Sequence, residues 1–179
     1  ALITSQAQAS LRASLRVIPD LCEAVTMVNE DLSPRMDDGN FVTLFVALFS
    51  ESGEVQVLSA GHTPPQLWSR ATGEVRRIAR SGPAMGMMDD FPYDTAETFQ
   101  MAEGDALLIF TDGLTEARPA GESENFLGED GIEERFKALA VEGSGAEALT
   151  KGIVKSVLDF AGGHCEDDMT MVAVRRTSV

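Results

Sequence analysis

The sequence has few cysteines and no long hydrophobic run. Only two of its 179 residues are cysteines, Cys22 and Cys165, and they lie far apart. This excludes a disulfide framework and a Cys-x-x-Cys metal pair. No apolar run approaches the roughly 20 residues that span a bilayer, and the first residues lack the basic-then-apolar layout of a secretory signal. We therefore expect a cytoplasmic protein that does not bind a membrane.

Positive charge is also scarce. The 14 Lys and Arg against 29 Asp and Glu give a formal net charge of -15. A field of this sign repels nucleic-acid backbones and anionic lipid surfaces, so nucleic acid is not an expected partner. The composition is otherwise that of a folded chain, with 44% hydrophobic and 24% charged residues. Its length predicts a single domain over residues 1–179.

Helical patterns occur at both ends of the chain, and strand patterns lie between them. Residues 1–16 and 19–34 predict two helices. The run FVTLFVALF (41–49) is apolar on both faces and predicts a central strand, which a turn at Ser52-Gly53 joins to the next strand as a hairpin. Further strands are expected at 66–69, 74–79, 95–101, 106–111 and 169–174, and further helices at 132–140 and 146–160. This order predicts an α+β fold.

The strongest candidate for chemistry is a carboxylate at the end of an apolar strand. The run from Leu107 to Phe110 leads directly into Thr111-Asp112-Gly113. A carboxylate in this place is held in a fixed position, and the glycine allows backbone or water to approach it closely. The alternative is that Asp-Gly only forms the turn after the strand.

A second candidate is the acidic run Glu166-Asp167-Asp168, which precedes the last strand. Three adjacent negative charges are unfavourable unless a cation or solvent offsets them. Hard cations such as Mg²⁺ and Mn²⁺ take oxygen ligands of this kind. An exposed acidic loop is the alternative. Together, the two acidic motifs at the ends of two strands indicate one shared cation site.

The two histidines offer weaker candidates. His62 lies in Ser59-Ala60-Gly61-His62-Thr63-Pro64-Pro65, where the prolines fix an extended backbone. A lone histidine in such a turn is more often structural than a base or a ligand. His164 and Cys165 are adjacent, and because adjacent side chains on an extended segment point apart, they make a poor catalytic pair.

The motifs follow one another in an order that resembles a known family. FVTLFVALF, SAGHTPP, SGPAMGM, IFTDGLTEA and EDDMT before an apolar strand are similar to the bacterial PPM metal-dependent serine/threonine phosphatases of the sporulation stage II protein E type. The resemblance covers the chain from about Ala1 to Arg176. It implies two packed antiparallel β-sheets flanked by helices, an αββα sandwich, with two Mn²⁺ or Mg²⁺ ions at one edge. A water activated by these metals attacks the phosphorus of phosphoserine or phosphothreonine.

The resemblance also implies roles for individual residues. Asp112 and Asp167 match metal-binding aspartates, with Asp168 as a further contributor. No catalytic residue is implied beyond these metal ligands, since the nucleophile is the metal-bound water. The residues implied to shape the site are Gly61, His62, Gly113 and Thr170.

One family motif has no counterpart in this sequence. The family carries an Asp-Val-Ser-Gly-type segment before its first long helix, and the aspartate and the following glycine carbonyl help to hold the metal pair. In this chain the first acidic residue is Asp20. We therefore expect a phosphatase-type domain that lacks its first strands and half of its metal site, with partial metal binding and little activity by itself.

The resemblance implies a place in bacterial signalling. The expected substrate is a phosphorylated regulatory protein, an anti-sigma-factor antagonist, and the expected control comes from an upstream sensory or receiver domain. Homodimerisation is a further possibility. Two other functions stay open: a pseudophosphatase adaptor that binds a partner protein without turnover, and an acidic domain that binds a cation only for stability.

Overall fold

In a computed structural model, which describes residues 2–36, 39–143, 145–164 and 166–177, helices accompany two antiparallel sheets. The helices are α1 (Leu2–Ser14), α2 (Leu21–Leu32), α3 (Asp112–Thr115), α4 (Gly128–Val141) and α5 (Ala146–Phe160). The strands are β1 (Leu44–Phe49), β2 (Glu54–Ala60), β3 (Gln66–Trp68), β4 (Val75–Arg77), β5 (Glu97–Gln100), β6 (Ala106–Phe110) and β7 (Met171–Arg175). The predicted α+β class with two antiparallel sheets is confirmed.

The chain divides into two compact units, each with one of the sheets. The first unit is Ala1–His62 with Ala79–Gln100, and its sheet has the order β1-β2-β5. The second is Thr63–Ile78 with Met101–Val179, and its sheet has the order β4-β3-β6-β7. None of the helices in the described residues is long and apolar enough to cross a membrane.

In the first unit, α2 has the apolar face that its sequence predicts. Asp20 caps the helix by accepting a hydrogen bond from the Glu23 backbone N–H at 2.8 Å. The residues of α2 that are fully buried are Leu21, Ala24, Val25, Val28, Asn29 and Leu32. Spacings of three and four residues place this set on one side of the helix, which explains why the sequence alone identified it.

The prediction of a central strand at 41–49 is wrong in two respects. The strand begins at Leu44, and it pairs only with β2 in the three-stranded sheet, so β2 is the central strand. Phe49 is 48% exposed, as expected at a sheet edge, whereas all the residues of β2 from Val57 to Ala60 are buried. The predicted hairpin is confirmed, because Phe49 pairs with Val55 across the turn at Gly53.

In the second unit, β6 is buried along most of its length. Ala106, Leu108 and Phe110 alternate along the strand and pack in the same core cluster as residues of α4 and α5. Leu107 on the other face is also buried. The other members of this cluster are Trp68, Leu114, Ile132, Phe136, Ala140, Leu149, Ile153 and Val157. A strand held on both faces fixes the position of the residues that follow it.

The only tyrosine in the sequence provides a test of packing in the first unit. Tyr93 is 1% exposed, and its hydroxyl donates a hydrogen bond to the Pro83 carbonyl at 2.9 Å. Burial raises the pKa of Tyr93 to about 12, whereas an unfolded tyrosine has a pKa of about 10. The folded protein therefore holds this proton more tightly than the unfolded one.

We expect the Tyr93 contribution to stability to be constant below pH 10 and to fall as the pH rises toward 12, because only the unfolded chain ionises in that window. Tyr93→Phe should remove this pH dependence and lower the free energy of unfolding at neutral pH by about 1 kcal/mol. Denaturant unfolding at a series of pH values checks both effects. Tyrosinate absorbance rising near pH 10 while the circular dichroism stays native would contradict the burial.

Candidate metal centre

The two acidic motifs come together because β6 and β7 are antiparallel neighbours. Phe110 pairs with Met171, so the chain that leaves β6 lies beside the chain that enters β7. Beyond this pair, Thr111 donates its backbone N–H to the Thr170 carbonyl at 3.0 Å. The Thr170 backbone N–H in turn donates to the Thr111 hydroxyl at 3.1 Å. Asp112 and the acidic run therefore lie at the same end of this sheet, as the sequence predicted.

Gly113 allows the first turn of α3 to lie against the acidic run. A Cβ atom on Gly113 would lie 2.5 Å from the Asp168 carbonyl oxygen and 3.0 Å from its carbonyl carbon. Cβ atoms in proteins essentially never approach other atoms so closely. The atoms that the Cβ would meet here belong to the backbone and not to a flexible side chain. The Thr111 hydroxyl also donates to the Asp168 carbonyl, at 3.3 Å. The close approach that the Asp-Gly motif suggested is thus present, and it requires glycine.

The carboxylates at this end of the sheet are exposed and largely free of protein partners. Asp167 accepts a hydrogen bond from the Asp168 backbone N–H at 2.7 Å. In the part of the chain that the structure describes, no hydrogen bond is made to the carboxylates of Asp112 and Asp168. Their oxygens are available to solvent or to a cation, and oxygen is the donor that Mn²⁺ and Mg²⁺ prefer.

The donor chemistry fits a hard divalent cation, but the set of ligands is partial. Among the described residues, no three His, Cys, Asp or Glu side chains converge closely enough to hold a metal ion. Asp112, Asp167 and Asp168 thus lie at the same end of the sheet, but their carboxylates do not form a closed set of ligands. Further ligands are needed for a tight site.

An arginine that the sequence analysis missed ties the acidic run to the segment after α3. Arg118 forms an ion pair with Glu166 and donates a second hydrogen bond to the Ser123 carbonyl at 3.2 Å. Its guanidinium also lies 5.0 Å from the centre of the Phe126 ring, a cation–π distance. The feature of the sequence that could have identified Arg118 is its position shortly after Asp112 in a chain with few Lys and Arg residues.

A small cleft opens beside these groups. It has a volume of about 170 Å³ and contains Arg118, Phe126, Gly113 and Asp167 among its lining residues. His164, which is exposed, also lines it. That His164 and Cys165 make a poor catalytic pair stays a prediction, because Cys165 lies outside the described residues. The cleft places one cation and one apolar ring next to the carboxylates.

Gly61 and His62 belong to the first unit. Gly61 has a φ of 65°, and a Cβ atom there would lie 2.6 Å from the Ala84 backbone nitrogen, so the turn requires glycine. The His62 carbonyl accepts a hydrogen bond from the Arg80 guanidinium at 3.1 Å, and its ring centre lies 6.1 Å from that of Phe45. These contacts agree with a structural role for the SAGHTPP turn.

Comparison with known proteins places this arrangement in a family. A family model described as stage II sporulation protein E (SpoIIE) matches residues 1–177. The chain belongs to the SpoIIE family. The relationship to SpoIIE-type PPM phosphatases, inferred from the ordered motifs, is thereby confirmed.

Two curated relatives of this SpoIIE-family chain are longer proteins. The phosphoserine phosphatase RsbU of Bacillus subtilis is 26% identical over 151 residues, which are 83% of this chain and 43% of RsbU. Protein IcfG of Synechocystis is 29% identical over 164 residues, which are 90% of this chain and 25% of IcfG. The chain thus spans less than half the length of either relative.

A solved structure shares the fold. The crystal structure of the RsbU and RsbW domains of Rv1364c from Mycobacterium tuberculosis superimposes with a TM-score of 0.78 at 25% sequence identity. The match covers 99% of this chain and 48% of that chain. This SpoIIE-family chain therefore has the two antiparallel sheets and the helices of a PPM-type phosphatase domain.

Proposed function

We propose that this chain is part of a metal-dependent protein serine/threonine phosphatase. The observation that carries the proposal is the contact between Gly113 and the Asp168 backbone, because it places Asp112 next to the acidic run. A simple turn would need neither the buried strand before it nor a contact that only glycine permits. The similarity to RsbU, which is named a phosphoserine phosphatase, also supports phosphatase chemistry.

In this proposal Asp112 and Asp167 bind Mn²⁺ or Mg²⁺, and Asp168 contributes beside them. When bound, these ions act as Lewis acids toward phosphoryl oxygens and lower the pKa of bound water. The chain positions the carboxylates: β6 fixes Asp112 from one side, and the ion pair between Arg118 and Glu166 restrains the acidic run from the other.

The proposed substrate is a phosphorylated regulatory protein, an anti-sigma-factor antagonist, in bacterial signalling in the cytoplasm. The net charge of -15 disfavours acidic phosphoproteins at long range, so recognition depends on docking surfaces beside the site. The related structure that contains both RsbU and RsbW domains supports a regulatory partner. The greater length of RsbU and IcfG supports control by another domain, and homodimerisation is compatible with it.

The test compares this chain with the full-length protein that contains it. We expect tight binding of two Mn²⁺ ions by calorimetry, and turnover of a phosphoserine protein, in the full-length protein, and weaker metal binding with little turnover in the chain alone. The physical reason is the partial ligand set. Full-length protein that binds no Mn²⁺ and releases no phosphate would overturn the proposal.

A pseudophosphatase adaptor is the second candidate. The observation that favours it is that the described residues contain no closed set of three metal ligands. An adaptor binds the regulatory protein with similar affinity with and without Mn²⁺ and releases no phosphate. If Mn²⁺ raises only the melting temperature, without turnover or partner binding, the cation serves stability alone.

Arg118 provides a separate test of the proposed metal centre. We expect Arg118→Gln to weaken Mn²⁺ binding about 10-fold, because groups that orient metal ligands have effects of this size. Arg118→Lys should restore only part of the affinity, since lysine lacks the planar fork that contacts Glu166 and Ser123 together. Calorimetry on the full-length protein measures both.

The matched control for Arg118 is Arg35, an exposed arginine whose ion pair with Asp31 has a length of 2.6 Å. Arg35→Gln should leave Mn²⁺ affinity unchanged. Equal effects of the Arg35 and Arg118 variants would show that the loss is one of general charge and not of positioning.

A further inference from the structure

A second concave site lies at the other end of the second unit's sheet. It is a groove of about 580 Å³, lined by Gly104 before β6 and by Arg175 and Arg176 at the end of β7. Asp112 follows the opposite end of β6. With a rise of about 3.3 Å per strand residue, the two ends are on the order of 20 Å apart. The groove is therefore separate from the candidate metal centre.

The groove concentrates positive charge in a chain that has little of it. Arg70, Arg175 and Arg176 line it, and Glu103 is its one acidic lining residue in the described chain. Arg175 donates to the Ala140 carbonyl at 3.1 Å, and Arg176 donates to the Met101 carbonyl. The Met101 carbonyl is neutral, so it orients the Arg176 guanidinium without cancelling its charge.

Arg70 and Arg176 have no carboxylate within ion-pair distance among the residues that the structure describes. The nearby carboxylate of Asp105 is 5% exposed and accepts the backbone N–H groups of Arg70 and Ala102, both at 2.8 Å. Asp105 thus uses its oxygens to stabilise the turn before β6. The guanidinium groups of Arg70 and Arg176 are therefore not held in an ion pair with a described carboxylate, and they can contact an anion.

An independent observation is a buried donor without an acceptor. Trp68 lines the groove, is 3% exposed, and its indole Nε1–H has no hydrogen-bond partner in the described structure. Leaving such a donor unpaired costs about 1 to 3 kcal/mol, so it calls for an explanation. The Arg175 guanidinium lies over the face of the Trp68 ring, 5.5 Å from its centre, and this contact helps to fix the orientation of the indole.

The beginning of α5 adds to the same environment. Gly145, the N-cap of this 15-residue helix, lines the groove and provides no side-chain cap. The first backbone N–H groups of a helix are unsatisfied and attract anions. The one acidic side chain in this first turn, Glu147, forms an ion pair of 2.6 Å with Lys151.

We propose that this groove binds an oxyanion of the phosphate class. Arg70 and Arg176 supply the charge, and Trp68 supplies a buried hydrogen-bond donor. Such an anion is either free phosphate or a phosphoryl group on a protein segment. The site requires no metal ion and does not depend on the proposed phosphatase activity.

Trp68 is the only tryptophan in the sequence, so its fluorescence reports directly on the groove. The experiment titrates this chain, in a chelator and at constant ionic strength, with inorganic phosphate, with a phosphoserine peptide and with the same peptide unphosphorylated. We expect a saturable change in Trp68 fluorescence with the phosphorylated probes. Tighter binding of the phosphopeptide identifies a protein-borne phosphoryl group, and equal or tighter binding of phosphate identifies the free anion.

Substitutions of the groove arginines test whether phosphate binds in the groove. Arg70→Gln and Arg176→Gln should each weaken binding about 10-fold, a loss equivalent to 1.4 kcal/mol. Arg70 is exposed, so its variant should fold even if that of Arg176 does not. Arg12→Gln, an exposed arginine in α1, is the matched control and should have no effect.

A further variant tests the role of the indole donor. Trp68→Phe keeps an aromatic ring in the core and removes the Nε1–H, and we expect calorimetry to show weaker phosphate binding. A fluorescence change that is linear, that chloride reproduces, or that Arg70→Gln and Arg176→Gln leave unchanged would overturn the proposal.

Discussion

Asp112→Asn in the full-length protein is expected to lower the kcat for phosphoserine hydrolysis by at least about 100-fold, because metal-ion catalysis supplies several kcal/mol of transition-state stabilisation. Asn keeps the size of the side chain and removes its charge. Asp112 is exposed and its carboxylate makes no hydrogen bond among the described residues, so the melting temperature should stay within a few degrees. A steady-state phosphatase assay with Mn²⁺ checks the activity.

The control for Asp112 is another exposed aspartate in the same unit. Asp159 lies in α5 and forms an ion pair of 2.9 Å with Lys155. Asp159→Asn should leave both kcat and Mn²⁺ affinity unchanged. Unchanged activity in the Asp112 variant would remove this residue from the metal centre and leave Asp-Gly as a turn.

Gly113→Ala is expected to lower kcat about 100-fold as well, since a displacement of about 1 Å at a catalytic site has an effect of this size. The new methyl group would lie 2.5 Å from the Asp168 carbonyl oxygen, so α3 or the acidic run must move. We also expect a loss of about 1 to 3 kcal/mol in the free energy of unfolding, which is typical of overpacking. Denaturant unfolding of the chain and an activity assay of the full-length protein measure the two effects.

Gly131 is a matched control for Gly113. A Cβ atom on Gly131, within α4, would also meet an atom at 2.5 Å, but that atom is the Leu127 Cδ1, the end of a flexible side chain. Gly131→Ala should therefore be tolerated, and helix propensity offsets part of any cost. If both variants lose activity equally, crowding at the acidic run is not the cause.

The positions of single elements were readable from the sequence because their signals are local. The apolar face of α2 repeats every three to four residues, and the turn at Gly53 identifies the hairpin. α5 has the predicted bounds, whereas α4 begins four residues earlier than predicted and ends one residue later. The short helix α3, which begins at Asp112, was not predicted because four residues carry no periodicity.

The acidic half of the candidate site was also readable from the sequence. Asp112 and the run that contains Asp167 each border an apolar strand, so their local patterns placed them at strand ends. That the two ends coincide depends on the antiparallel pairing of β6 with β7. The sequence therefore determined which residues are candidates, and pairing determined that they meet.

Only the tertiary structure decided the remaining features, because they depend on residues that are distant in the chain. Strand order made β1 an edge strand, although its own sequence is apolar on both faces. The contact of Arg118 with Glu166 joins positions 48 residues apart. The groove joins Arg70 to Arg176 across more than half of the chain. Local periodicity reports which face of an element is buried, whereas charge pairs and anion sites arise from chain segments that only folding brings together.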